Sequence, residues 1–78
     1  MKVKVITPLA SAQKALDEKG WIELPEGAVL KDLEKAIGLN GFMRKVFPAF
    51  LNGKHLSGSA ELHDGDVVSF FSTALRGG

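Results

Sequence analysis

Leu30-Lys31-Asp32-Leu33-Glu34-Lys35-Ala36-Ile37-Gly38 decides how this chain folds, because here the apolar period changes to that of a helix. Leu30, Leu33, Ala36 and Ile37 fall at i, i+3, i+6 and i+7, leaving Lys31, Asp32, Glu34 and Lys35 for water. Asp32 in the first turn suits the helix dipole, and Gly38 is expected to stop the helix. The N-terminal cap is weak, since Ala28 and Val29 stand where Ser, Thr or Asp is favoured. Packing of the apolar face must therefore supply most of the stability.

Working back from this helix, Pro25-Glu26-Gly27 reads as a turn after a short strand, Trp21-Ile22-Glu23-Leu24, which Gly20 opens. Leu9 to Lys19 reads as a loop with one or two helical turns. Lys2-Val3-Lys4-Val5-Ile6 alternates as a half-buried strand does, with its lysines on the wet face, and Thr7-Pro8 ends it. Working forward, Asn40-Gly41 reads as a turn and residues 41–45 as a connection. Val46 to Leu51 is strand-like although Pro48 interrupts it. Asn52-Gly53 is a strong hairpin signal leading into Lys54-His55-Leu56. Ser57 to His63 is a polar connection anchored by Leu62, and Asp64-Gly65-Asp66 turns into a last strand, Val67 to Phe71.

The order is thus strand, strand, helix, strand, strand, strand, tail. A single amphipathic helix cannot cover both faces of a sheet. The expected class is α+β, a mixed sheet of four to five strands packed on one main helix. If Val68 and Phe70 point to that helix, alternation turns Val67, Ser69 and Phe71 outward; Phe47, Ala49 and Leu51 likewise leave Pro48 and Phe50 outside. Phe50, Phe71 and Val67 then form an exposed apolar patch, the usual mark of a protein contact.

Composition narrows the function. Seventy-eight residues make one small domain, and a chain of this size buries only ~60–65 % of its unfolded surface. There is no cysteine, hence no disulfide and no thiol nucleophile. Ten basic and nine acidic residues are interspersed, unlike the concentrated basic face of a nucleic-acid binder. Lys2, Lys4, Lys14 and Lys19 read as a solvated edge and loop. No apolar run approaches a membrane span and no signal peptide opens the chain, so a soluble cytoplasmic domain is expected. His55, His63, Asp64 and Asp66 match no metal-ligand spacing and read as turn chemistry. The serines lack a nucleophile-elbow context. Trp21 reads as a half-buried strand residue.

The end is distinctive. Gly77-Gly78 closes a segment, residues 72–78, read as a flexible tail behind a domain of residues 1–71. Fully extended, seven residues span about 23–25 Å. That is enough to enter a neighbouring protein's site with the domain docked outside. A thread without side chains suits a narrow channel, which makes the terminal carboxylate the candidate reactive group.

The element order, with Leu24-Pro25-Glu26-Gly27, Asp32-Leu33, Leu51-Asn52-Gly53, Asp64-Gly65-Asp66, Phe70-Phe71 and Gly77-Gly78, resembles the ubiquitin-like β-grasp proteins. Within them it is most similar to the MoaD/ThiS-type sulfur carriers, above all the small-subunit family of molybdopterin synthase, whose last strand also ends in two phenylalanines. The resemblance implies a carrier that is a co-substrate and not a catalyst. A ubiquitin-activating-type enzyme would adenylate Gly78 with ATP, sulfur from a donor would displace AMP, and the resulting thiocarboxylate would serve an acceptor such as the synthase's large subunit. This chain has no phosphate-cradling P-loop, so ATP falls to the partner. Leu75, Arg76 and Gly77 would thread the partner's channel, with Arg76 bonded to a carboxylate there. The sheet face carrying Phe50, Phe71 and Val67 would receive both the activating enzyme and the acceptor.

Two features depart from that subunit family. Ser72-Thr73 stand where prolines usually follow the phenylalanines, and Leu75-Arg76-Gly77-Gly78 ends as ubiquitin does. A modifier conjugated to lysines therefore competes with the carrier, as do carriers for thiazole synthesis, tRNA thiolation or cysteine synthesis, and an inert interaction domain.

Overall fold

The lysine–valine alternation at the start of the chain becomes a strand inside the sheet. In the computed structural model, which describes residues 1–71, β1 (Lys2–Ile6) lies between two neighbours, with Val3 and Val5 buried. A four-residue helix, α1 (Ala10–Gln13), follows, then β2 (Trp21–Glu23), α2 (Leu30–Ala36), α3 (Gly41–Val46), β3 (Ala49–Leu51), β4 (Lys54–His55) and β5 (Val67–Phe70). The five strands form one sheet in the order β2-β1-β5-β3-β4. The first and last strands run parallel, with Val5 beside Val68, and the other pairs are antiparallel, so the sheet is mixed as expected.

One apolar cluster fills the space between sheet and helix. Val3, Val5, Ala49, Val68 and Phe70 contribute from the strands, Leu30, Leu33 and Ile37 from α2 and its end, and Leu24, Leu39, Phe47 and Leu62 from the connections. Fully burying a side chain such as Phe70 or Leu33 stabilises the fold by about 1.5–3 kcal/mol. Among the described residues no helix is long and apolar enough to cross a membrane.

α2 ends as its sequence predicts. Gly38 takes φ +83°, its N–H donates to Lys35 O, and Leu39 N–H donates to Glu34 O at 2.8 Å. That reciprocal pattern closes the last turn, with Leu39 buried behind it. The start shows how a weakly capped helix is held. Asp32 Oδ2 accepts the Val29 N–H at 2.9 Å, half of a capping box. Leu30 N–H and Lys31 N–H donate to Ala60 O and Gly58 O, so a loop distant in sequence satisfies the first turn.

Three expectations need correction. Residues 41–45 are not an irregular connection: they open α3, capped by Asn40 Oδ1, which accepts the Met43 N–H at 3.1 Å. The strand expected from Val46 starts only at Ala49, because Val46 closes α3 and Pro48 offers no N–H to a ladder. On α2, Ala36 is exposed and Glu34 is buried. Leu30, Leu33, Glu34 and Ile37 then complete the i, i+3, i+4, i+7 face, and Glu34 occupies it because α3 brings Arg44 Nε within 2.7 Å of its Oε1.

The Asn52-Gly53 hairpin forms as expected, with φ of 53° and 81°, the left-handed pair that joins β3 to β4 in two residues.

A candidate docking face

Strand register determines which side chains share the outer face of the sheet. Ser69 lies beside Ile6 on one flank and Phe50 on the other, and Phe50 lies opposite His55. These four form a row across β1, β5, β3 and β4. Lys4 lies beside Val67 on one side and Trp21 on the other, a second row displaced toward β2. Val67 is 38 % exposed and Phe71 49 %, whereas Val68 and Phe70 are sealed inside. Phe50 is half-buried, its ring meeting His55 edge-on with centroids 5.5 Å apart. The inside–outside alternation read for Val67, Phe71 and Phe50 therefore stands.

The structure adds Ile6, 45 % exposed on the same face. Its signal lay in the sequence: a residue two beyond Lys4 in an alternating strand shares the lysine's side. Ile6, Val67, Phe71 and Phe50 make a hydrophobic area larger than the expected three residues. Phe42, 73 % exposed, is a second surface apolar group, but it belongs to α3, whose existence the sequence did not disclose.

The last described residue, Phe71, follows directly on β5. Phe71 N–H donates to Pro48 O at 3.4 Å, a last weak ladder bond beyond β5. Proline therefore serves the sheet as acceptor where it cannot serve as donor. Leu75, Arg76, Gly77 and Gly78, and the tail of residues 72–78 as a whole, lie outside the described residues.

The remote edge of the face, at β2, is pinned electrostatically. The Met1 ammonium lies 2.7 Å from Glu23 Oε2 and also donates to Leu24 O. The Glu23 carboxylate raises the pKa of this amine above its ordinary value, and Glu26 adds to the effect. Asp17 Oδ1 accepts the N–H groups of Trp21 and Lys19 at 2.9 and 2.8 Å. Those bonds, that of Trp21 foremost, hold the Asp17 carboxyl below the usual range, with the Lys2 charge assisting. The same bonds occupy the outer side of β2 at Trp21, where an unpaired strand edge would otherwise be open.

The histidines lie apart in role. His55 packs on Phe50, while His63 N–H donates to Asp66 Oδ2 at 2.8 Å, the turn chemistry expected of that segment.

No protein-family model matches the chain, and no curated protein matches it significantly. Solved structures do. A Pyrococcus furiosus protein provisionally designated molybdopterin converting factor, subunit 1, is 33 % identical with a TM-score of 0.69, over 92 % of this chain and 97 % of that one. SAMP1 from Haloferax volcanii superposes with a TM-score of 0.64 over 92 % of this chain and 94 % of its own; at 13 % identity it supports the fold alone. At the identity and coverage of the first comparison, the chain belongs to the MoaD/ThiS family of ubiquitin-like, β-grasp sulfur carriers.

Proposed function

We propose that this protein carries sulfur on its C-terminal glycine for molybdopterin formation. The observation that supports the pathway is 33 % identity, across nearly the whole of both chains, to a protein provisionally designated a molybdopterin converting factor subunit. A carboxylate at Gly78 is an anion at neutral pH and a poor electrophile. Its oxygen attacks the α-phosphate of ATP on a ubiquitin-activating-type enzyme, expelling pyrophosphate and forming an acyl-adenylate. A sulfide-level donor then attacks the acyl carbon and expels AMP, leaving a thiocarboxylate on Gly78. Gly77, Arg76 and Leu75 thread the partner's channel while the sheet face bearing Phe71, Phe50, Val67 and Ile6 docks against its surface. The chain acts as co-substrate, and the partner binds ATP.

Intact-mass measurement after incubation with ATP, an activating enzyme and a sulfide donor tests the reading. The expected product is heavier by the exchange of one oxygen for sulfur, and a variant with one residue added after Gly78 gives none. Isopeptide-linked conjugates in its place would favour a lysine modifier, the reading that Leu75-Arg76 ahead of the paired glycines supports. Sulfur transfer from the loaded carrier to a molybdopterin precursor separates this pathway from thiazole, tRNA or cysteine synthesis.

A further inference from the structure

A cleft of about 420 Å³ opens between α2, α3 and the β3–β4 hairpin. Leu30, Pro48 and Leu56 give it apolar walls, and Arg44, Lys45 and His55 reach it from two sides. Lys31 and Arg44 converge at its edge on Gly58. A Cβ on that glycine would lie 3.0 Å from Lys31 Cε and 3.1 Å from Arg44 Nη2. The absence of a side chain at Gly58 therefore lets two cationic groups approach one point.

Their charges are unevenly compensated. Glu34, buried beneath, engages Arg44 through Nε and leaves the Nη2 side turned toward Gly58. Among the described residues no carboxylate forms an ion pair with Lys31 or Lys45. Two like charges held close together repel unless an anion joins them. An arginine whose Nε faces a carboxylate still presents its other N–H groups as a fork for a second one.

We propose that this cleft is a second binding site, which takes an acidic side chain flanked by apolar residues from a protein partner. The apolar walls and the volume, within the ~300–1,000 Å³ of ordinary ligand pockets, favour a peptide segment over a bare inorganic anion. The cleft adjoins the end of β5: Pro48 lines it and is the residue whose carbonyl accepts the Phe71 N–H.

The isotopically labelled full chain, titrated with a short peptide of alternating leucine and glutamate, tests the site without any activating enzyme. The outcome is thus independent of the sulfur-carrier reading. The backbone signals of Ser57 and Gly58 and the Nε signal of Arg44 are expected to shift and saturate. The glutamine counterpart of the peptide should leave them unmoved. High salt, or the double change Lys31→Glu with Lys45→Glu, should weaken binding by about tenfold or more, since both lysines are exposed and Glu34–Arg44 stays intact. Gly58→Ala should weaken it without altering charge. Shifts centred on Lys2, Lys4 and Lys19, an equal response to inorganic phosphate, or no response at Gly58 and Arg44 would each overturn the proposal.

Discussion

Glu34 Oε1 meets Arg44 Nε at 2.7 Å, with the carboxylate side chain 7 % exposed and the guanidinium 38 % exposed. The contact is off the ideal hydrogen-bond line, and neither atom has another partner among the described residues. It joins two helices, α2 and α3, whose burial otherwise rests on apolar contact. Because one partner is sealed and the other half open, deleting each should cost differently. Arg44→Leu leaves a buried carboxylate without compensation, whereas Glu34→Leu lets the guanidinium turn to water. Urea denaturation is expected to show a loss of about 2–4 kcal/mol for Arg44→Leu, below the ~3–5 of a fully buried pair, and near ~1 kcal/mol or less for Glu34→Leu. The double variant should recover most of the Arg44→Leu loss. Equal single losses that simply add would mean that the two charges do not communicate.

The Asn40 cap gives a second test. Its side chain accepts the Met43 N–H at the start of a six-residue helix that buries no residue fully. A helix so short has little else to hold its first turn. Asn40→Ala is expected to cost about 1 kcal/mol and Asn40→Asp much less, because the carboxylate restores the acceptor. Thermal melting of the three proteins checks this, and indistinguishable curves would show that the cap contributes nothing.

Asn40 also shows where sequence reading stops. The strands at Lys2–Ile6 and Val67–Phe70 and the main helix were legible, because alternation and 3.6-residue spacing record which side is buried. The helix at Gly41–Val46 was not. Asn-Gly is a turn signal and an N-cap signal alike, and a six-residue segment is under two turns, too short to declare a period. Missing α3 hid Arg44's role and so made Glu34 look like a water-facing residue. On the outer face, Val67, Phe71 and Phe50 followed from period two, and Ile6 followed from the same rule applied one step further. The cleft at Gly58 depends on a loop returning to α2 through Lys31 N–H and Leu30 N–H, a long-range contact that no local pattern encodes.

The Asp17 carboxylate makes acid stability the third test. The Trp21 and Lys19 N–H groups favour its ionised form, so its folded-state pKa lies below the ordinary value of 3.8. A depressed carboxyl contributes stability that is present above the unfolded value and lost as pH falls through the folded one. Asp17→Asn should therefore destabilise the protein near neutrality, and its deficit against the parent should shrink as the pH drops below about 4. The Met1 amine has the opposite sign. Its raised pKa gives stability that is present below 8.0 and lost as pH climbs through the folded value, and Glu23→Gln should flatten that alkaline loss. Denaturation midpoints across pH read both, and parallel curves for parent and variants would contradict the linkage.

Phe70 and Phe71 are chemically identical neighbours that the sheet assigns to opposite tasks. Phe70 is 0 % exposed in the core and Phe71 49 % exposed on the face beside Val67. Phe70→Ala is expected to cost about 3–5 kcal/mol, a large share of what a domain this small has available. Phe71→Ala should change stability by no more than about 0.5 kcal/mol. In the proposed activation by an adenylating enzyme the order reverses in meaning. Phe71→Ala and Phe71→Asp should raise KM progressively, the aspartate more, with Ile6→Ser acting in the same direction, while kcat holds, as a face that serves docking alone requires. A large change in kcat at constant KM would place Phe71 in the chemistry instead of the docking. Unaltered kinetics for a folded Phe71→Asp protein would remove the sheet face from the partner's footprint and leave the patch of Ile6, Val67 and Phe50 without a function.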